Sequence, residues 1–424
     1  MSLYAFVALT AMLLIALYNF KPTSVIYLKR LMVPIVCIIF ILSLIIFSST
    51  AVESASKGLN LWLNVVFPSL FPFFVASEIL YRTGFIKTLG ILLEPIMRPL
   101  FNVPGCGSFA LAMGITSGYP VGAKLTANMR EERLLTKTES ERLLSFTNNS
   151  GPLFIIGAVA VGMFNNPKIG FLLLFCHIAA CLTVGILFRF YGKQKKSAKS
   201  YENTKILKKF KRELANTKSV NIGELLGDSI RNSVNTILAI GGFIILFSVI
   251  INLLLETGVI NLAAHFLSIL LPISGISKEL FATILSGFFE ITTGINMISK
   301  MEGISFTLQL SAISLILGWA GLSVHFQVYS IISKTDISIR PYLFGKLMHG
   351  IFSAVYVWIF SKLSFMSDLE SQSVFGYFTY NSDWTCVNYF INSVKNILIS
   401  LAVLLLMTAI SYIVKVCKSL KLNL

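Results

Sequence analysis

The chain has few charged residues and few of the residue types that enzymes use for catalysis. Only 13% of its 424 residues are charged, whereas soluble domains carry roughly 25%. It contains four histidines and six scattered cysteines, and no pair of cysteines has metal-ligand spacing. Neither a P-loop nor a His-Glu-x-x-His or Gly-x-Ser-x-Gly motif is present. We therefore expect no enzyme, no cofactor, no metal site and no structural disulfide.

Long apolar stretches take the place of these features. Hydrophobic residues make up 55% of the chain, and the mean hydropathy is +0.79. Nine stretches approach or exceed the roughly 20 residues that cross a bilayer, at 3–20, 31–50, 61–80, 143–164, 167–190, 236–255, 305–332, 341–365 and 394–416. The first lacks a basic leader and a cleavage site, which predicts a retained span rather than a signal peptide. The sequence predicts an all-α, multi-pass protein whose partner is the lipid bilayer.

The net charge of +16 is explained by where the basic residues lie. Ten lysines and arginines fall in 191–218, between apolar stretches. This pattern is typical of a cytoplasmic loop, so we expect no nucleic-acid binding, and contact with anionic lipid is the functional alternative. Basic residues also predict 124–142 and 334–340 on the cytoplasmic side, and 367–393 outside. The amphipathic segment 221–235 is predicted to lie on the inner membrane surface.

The two halves of the sequence align with each other at a nearly constant offset of 173 or 174 positions. The matched pairs are Thr83-Gly84 with Thr257-Gly258, Gly114 with Gly287, Ser117 with Glu290, Ser150 with Ser323, and Pro167 with Pro341. According to the charge pattern, the first repeat begins with a span that runs into the cell, and the second begins with a span that runs out of it. This predicts two inverted repeats, with broken or re-entrant helices at 84–123 and 258–299. The predicted organisation is peripheral helices at 1–58, a first repeat at 59–190, a basic loop with the amphipathic helix at 191–235, a second repeat at 236–366, an external loop at 367–393 and a terminal span at 394–424.

A glycine-rich motif at 114–124 interrupts the apolar sequence of the first half. Its three glycines allow close backbone approach, and a helix that begins near Pro120 would point its N-terminal amides at an anion. Lys124, at the end of the motif, either pairs with a carboxylate or extends to the cytoplasmic interface.

A second polar interruption lies at 145–152. Asparagine, serine and glycine beside a proline would unwind a helix and free carbonyls and amides for a ligand or ion. The alternative is an ordinary helix start near Pro152, with Asn148 or Ser150 as its cap. The segment 318–327 of the second half is also partly polar, which favours the first interpretation.

Glu290 is the least expected residue of the chain, because a carboxylate within a span costs on the order of 2.5–3.5 kcal/mol on insertion scales. It predicts a proton- or ion-coupling role, with coupling to H⁺ or Na⁺; the alternative is a glutamate satisfied by Lys124 or Arg231. His325 lies in the polar segment of the second half and is either a ligand or a neutral hydrogen-bonding residue. The expected substrate-binding residues are Ser117, Gly118, Tyr119, Lys124, Asn148, Asn149, Ser150, Trp319, Ser323 and His325, and the expected ion-coupling residues are Glu290, Thr292, Thr293 and Asn296.

The motif at 114–124, followed by Phe-Thr-Asn-Asn-Ser-Gly-Pro at 146–152, resembles the YlbJ (SpoVV) sporulation integral membrane proteins of endospore-forming Firmicutes. These belong to the Gate, or nucleoside-recognition, group, which is distantly similar to concentrative nucleoside transporters. The resemblance covers roughly 60–365 and is weaker in the second half. It implies movement of dipicolinic acid from the mother cell towards the forespore, across the outer forespore membrane, but it assigns no binding residues.

Three functions therefore stand as alternatives. A transporter of a small organic anion would use the helix N-termini and Lys124, with Tyr119 and Trp319 stacked on the ring of dipicolinate. A transporter of a nucleoside or another neutral metabolite would need no positive charge. A membrane scaffold would dock a partner through the basic loop at 191–218. The chain is either monomeric or a homo-oligomer.

Overall fold

The computed structural model describes residues 22–192, 221–270 and 277–361, and every regular element within those ranges is a helix. The predicted spans 3–20 and 394–416, the loop 367–393 and most of the basic loop lie outside the described residues. The helices are α1 Pro22–Ile46, α2 Ser48–Leu61, α3 Phe67–Arg82, α4 Phe85–Phe101, α5 Gly107–Thr116, α6 Val121–Glu131, α7 Lys137–Thr147, a π-helix Leu153–Met163, α8 Pro167–Phe188, α9 Ile222–Glu256, α10 Val259–Leu270, α11 Lys278–Phe289, α12 Ile291–Ser299, α13 Phe306–Trp319, α14 Gly321–Ile332 and α15 Ile339–Phe360. A short π-helical segment, Trp62–Val66, joins α2 to α3.

Four helical segments of the described residues are long and apolar enough to cross a membrane. They are α8, α9, α13 with α14, and α15. The predicted span 31–50 is bent near its end, because the chain turns by 99° between α1 and α2. Three hydroxyl residues follow the bend at 48–50, and such residues favour helix starts over helix interiors.

Two of the predicted spans are broken in the middle. The stretch 143–164 is interrupted at 148–152, where the glycine and proline of the polar segment cannot continue α7. The stretch 305–332 is interrupted at Ala320, whose φ of 77° is left-handed. The order of elements is the same in both halves. A helix is followed, across a positive-φ glycine, by a second helix, then by a pair of short helices, a broken helix and an unbroken span.

Segments that the charge pattern predicts on the cytoplasmic side meet at one end of the molecule. Arg130 donates two hydrogen bonds of 2.8 Å to the carboxylate of Asp336, and these bonds hold the pKa of Asp336 below its ordinary value. The backbone amide of Ser338 donates to Glu141, and Arg142 donates to the carbonyl of Tyr191. We call this the cytoplasmic end. Helix α8 runs towards it, and α15 begins there and runs away.

The segment 84–123 forms one surface helix followed by a hairpin. The first residues of α4 lie near the turn after α6, and the carbonyl of Asn102, at the other end of α4, accepts a hydrogen bond from Arg142. Because both ends of α4 lie at the cytoplasmic end, this helix runs across that end. Helices α5 and α6 form a hairpin that enters and leaves there, with its tip at 117–120 packed against the break at 148–152.

The amphipathic segment 221–235 does not form a separate surface helix. It is the first part of α9, a continuous helix of 35 residues. No proline occurs between 221 and 256, so nothing in the sequence ends the helix before the predicted span. The segment therefore continues into the predicted span at 236–255 as one helix.

Arg142 ties three segments together at the cytoplasmic end. Its buried guanidinium donates to the carbonyl of Tyr191 from two nitrogens, at 2.8 and 2.6 Å, and to the carbonyl of Asn102 at 2.9 Å. A lysine has one nitrogen and cannot reach both carbonyls in this fork geometry.

We expect Arg142→Lys to destabilise the protein by about 1.5–3 kcal/mol, because a buried charge-assisted hydrogen bond is lost. Thermal unfolding in detergent measures the effect, and Arg340→Lys, at an exposed arginine of the same end, is the matched control. Equal unfolding temperatures for both variants would contradict this role.

Candidate functional site

A cavity of about 100 Å³ lies where the two halves meet. Six of the expected site residues line it: Ser117, Gly118, Tyr119, Glu290, Thr292 and Ser323. Apolar residues of α3, α9 and the π-helix complete the wall. The cavity therefore brings together polar residues from both glycine-containing breaks, as expected for a site between two repeats.

Four helices begin at the wall of this cavity. Helix α6 begins just after Tyr119, the π-helix just after Gly151, α12 at Ile291, and α14 within two residues of Ser323. The N-cap residues of the first, second and fourth of these helices are Pro120, Pro152 and Ala320, and none of the three makes a side-chain capping hydrogen bond. The first amides of a helix lack intrahelical partners and carry partial positive charge. Three uncapped helix N-termini can thus offer hydrogen bonds to a polar or anionic ligand.

Gly118 allows the tip of the hairpin to contact the break in the first half. Its φ of +89° is left-handed, and a β-carbon at this position would lie 2.8 Å from the amide nitrogen of Gly151. Four residues earlier, a β-carbon on Gly114 would collide with the carbonyl oxygen of Thr147. The spacing of the glycine motif therefore follows from direct backbone packing between the hairpin and the 148–152 break.

Glu290 caps α12, the helix that follows it. Its two carboxylate oxygens accept hydrogen bonds from the backbone amides of Thr292 and Thr293, at 3.0 and 2.7 Å. The side chain is mostly buried and also faces the cavity. Neither of the partners suggested by the sequence, Lys124 or Arg231, forms an ion pair with it in the described residues. Asn296, expected to join it in ion coupling, is exposed and lies outside the cavity lining.

Lys124 lies away from the cavity. Its ammonium donates to the hydroxyl of Thr236 at 2.9 Å and lies 3.6 Å from a carboxylate oxygen of Glu78. Glu78 is buried, and it also accepts from Arg82 and Asn232. The pairing of Lys124 with a carboxylate is one of the two alternatives that the sequence left open.

The break at 148–150 is held by hydrogen bonds to the second half and to His177 and Cys181 of α8. The Asn148 amide donates to the hydroxyl of Tyr342 at 3.0 Å, and the Ser150 hydroxyl donates to the carbonyl of Leu317 at 3.3 Å. Asn149 donates to the carbonyl of Phe146. No side chain of this segment caps the following helix, so the capping alternative is wrong.

Trp319 and His325 lie behind the cavity wall. The Trp319 indole donates to the carbonyl of Phe288 at 3.1 Å, and its ring meets that of His325 edge-on, with centroids 4.3 Å apart. His325 Nδ1 is 3.1 Å from the hydroxyl of Tyr342. Neither residue lines the cavity, so stacking of Trp319 on a ligand would require movement of this side chain at the end of α13.

Two functional candidates were missed by the sequence analysis. Gln327 lines the cavity, and its buried side-chain oxygen has no hydrogen-bond partner among the described residues. Lys346 is fully buried inside α15. A signal for Lys346 was present, because a lysine within the predicted span 341–365 is as unexpected as Glu290.

Comparison with known proteins identifies the relatives of the chain. The family described as Gate, nucleoside recognition, matches residues 63–193. The sporulation integral membrane protein YlbJ of Bacillus subtilis (strain 168) is 42% identical over 316 residues, which cover 73% of this chain and 77% of that protein. Among solved structures, CNTnw in an inward-facing substrate-bound state has 14% identity and a TM-score of 0.45, covering 82% of this chain and 89% of that one. A CNTnw variant in an outward-facing state has 16% identity and the same TM-score, covering 81% and 88%.

Proposed function

The chain belongs to the YlbJ family of sporulation integral membrane proteins, and from this premise we propose that it transports a small organic anion, dipicolinate, across the outer forespore membrane. The observation that carries the proposal is the convergence of three uncapped helix N-termini on one cavity between the two halves. Carboxylates bind at such N-termini without any basic side chain. The hydroxyl of Ser117 and the amide of Gln327 add polar contacts.

The cavity must widen for a substrate of this size to bind. Ligand sites commonly have volumes of about 300–1,000 Å³, whereas this cavity has about 100 Å³. We propose that widening occurs by alternating access between two inverted repeats. The opposite directions of α8 and α15 relative to the cytoplasmic end support the inversion.

Glu290 sets a condition on the charge of the substrate. A carboxylate at the cavity wall repels a dianion in a region of low dielectric constant. Dipicolinate would therefore enter together with a proton or a metal cation, or Glu290 would itself be protonated. This condition is the reason to propose coupling to H⁺ or Na⁺ at the cavity.

A neutral metabolite such as a nucleoside is the second candidate. The observation that favours it is the composition of the cavity lining, which contains no lysine or arginine among the described residues. Hydroxyl, amide and carboxylate groups suit the hydrogen-bonding edges of a sugar or base.

Uptake into proteoliposomes that contain the purified full-length protein tests both candidates. We expect saturable uptake of radiolabelled dipicolinate, stimulated by an imposed pH or Na⁺ gradient, and no competition by uridine. Uptake of radiolabelled uridine, blocked by excess uridine but not by dipicolinate, would instead support the second candidate. Absence of both activities in folded protein would favour the scaffold alternative.

A further inference from the structure

A buried cluster of basic side chains lies directly behind the 148–152 break. Lys346 of α15 is completely buried, and its ammonium donates to the backbone carbonyl of Asn148 at 2.9 Å. The same nitrogen is 3.2 Å from Nδ1 of His349, one turn further along α15. No carboxylate among the described residues forms an ion pair with it. Lys346 is thus a buried cation held by a carbonyl and an imidazole.

Backbone hydrogen bonds fix the protonation of the two neighbouring histidines. The amide of Ser150 donates to Nε2 of His177 at 3.2 Å, so this nitrogen carries no proton and the neutral ring is protonated at Nδ1. His349 Nε2 is 2.9 Å from the carbonyl oxygen of His177, which only accepts, so Nε2 carries the proton and Nδ1 accepts from Lys346. Both imidazoles are therefore neutral in this arrangement, and Lys346 carries the single charge of the cluster.

The charge of Lys346 bears directly on the shape of the cavity. Asn148, which accepts from Lys346, lies three residues before Gly151, which lines the cavity and packs on Gly118. A hydrogen bond from a charged donor is roughly twice as strong as one from a neutral donor. Loss of the proton would therefore weaken the attachment of the break to α15 while leaving the covalent structure unchanged.

The other titratable groups that face this cluster are neutral ones. Helix α8 contributes His177 and Cys181, α14 contributes His325, and α15 contributes Tyr342 and His349. A buried ammonium without a counter-charge is destabilised relative to the neutral amine. None of these side chains offers a carboxylate that would balance a second positive charge. The cluster therefore binds one proton at a time, at Lys346.

We propose that Lys346, with His349 and His177, is a proton-binding site that couples protonation to movement of the 148–152 break and so to opening of the cavity. One proton adds to the lone pair of the neutral Lys346 amine, forms its third N–H bond, and leaves to water from the conformation in which the break has moved. This inference rests on the proposed transport function and assigns H⁺ as the coupling ion at a site separate from Glu290.

Two measurements test the proposal, and one of them needs no substrate. In a full-length variant with Trp62, Trp358 and Trp384 changed to phenylalanine, Trp319 reports on the cluster through His325 and Tyr342. We expect its fluorescence to change with pH as a one-proton step. Lys346→Met and Lys346→Arg should both abolish the step, because the first holds no proton there and the second does not release it.

The second measurement is dipicolinate uptake by the same proteins in liposomes. Lys346→Arg should retain exchange of dipicolinate at equal pH. The stimulation of its uptake by a pH gradient should fall by at least about tenfold. Lys57→Met, at an exposed lysine of α2 paired with Glu53, is the matched control and should behave as the parent protein.

The outcomes separate the two proposals. A fluorescence step that persists in both Lys346 variants would overturn the proton site, as would unchanged pH-gradient stimulation in Lys346→Arg. A step that disappears in both variants, in a protein that takes up no dipicolinate, would retain the proton site and reject the proposed substrate. If Lys346→Met does not fold, Lys346→Arg, which keeps the charge, still decides the question.

Discussion

Gly118→Ala is expected to abolish uptake and to lower the yield of folded protein sharply. The residue has a left-handed φ of +89°, which costs a non-glycine residue about 1–2 kcal/mol. The added β-carbon would also lie 2.8 Å from the amide nitrogen and 3.1 Å from the Cα of Gly151. These contacts are with backbone, which cannot rotate away as a side chain could, so the hairpin tip and the break must separate. Uptake together with size-exclusion elution in detergent measures both losses.

Two other glycines isolate the causes of this effect. Gly84 has a φ of +74°, and a β-carbon added there would meet no atom within 4 Å, so Gly84→Ala tests the backbone strain alone. Gly227 lies within α9 in open space, and Gly227→Ala should stabilise the helix by about 0.5–1 kcal/mol. If Gly118→Ala were no more harmful than Gly84→Ala, the contact between hairpin and break would not be needed for folding or transport.

The sequence was sufficient to predict the breaks and the hairpin of the first half because backbone irregularity requires particular residues. Glycines at 114 and 118 and a proline at 120 within an apolar sequence indicate irregular backbone. The structure places them at or near the tip of a hairpin. The bend between α1 and α2 was not predicted, because Phe47 and its neighbours also fit a straight apolar span.

Side-chain partners were harder to predict, because they depend on which helices pack together. Lys124 pairs with Glu78 of α3, and no local pattern in the sequence connects these two residues. The cap formed by Glu290 could not be predicted from the sequence, because glutamate is not among the preferred N-cap residues. Lys346 was missed for a different reason: the high mean hydropathy of its span concealed a single charge.

Glu290 has two separable roles in this structure, and substitutions at this position should divide them. Its carboxylate caps α12 through Thr292 and Thr293, and the same group faces the cavity. We expect Glu290→Gln to keep most of the folded protein, because an amide oxygen can still accept one of the two hydrogen bonds, and to lower ion-gradient-driven uptake by at least about tenfold. Glu290→Ala should lose the cap as well, at a cost of about 1–2 kcal/mol. Thermal unfolding and uptake measure the two effects separately.

Glu290→Asp completes the series, since aspartate is a preferred N-cap residue and retains the charge. It should unfold at nearly the parent temperature and respond to the ion gradient more strongly than Glu290→Gln. A Glu290→Gln protein with full uptake and an unchanged response to both H⁺ and Na⁺ gradients would reduce this residue to a helix cap. The charge condition on the substrate would then be removed, and if Lys346 variants had lost the pH response, coupling would depend on the cluster behind the break alone.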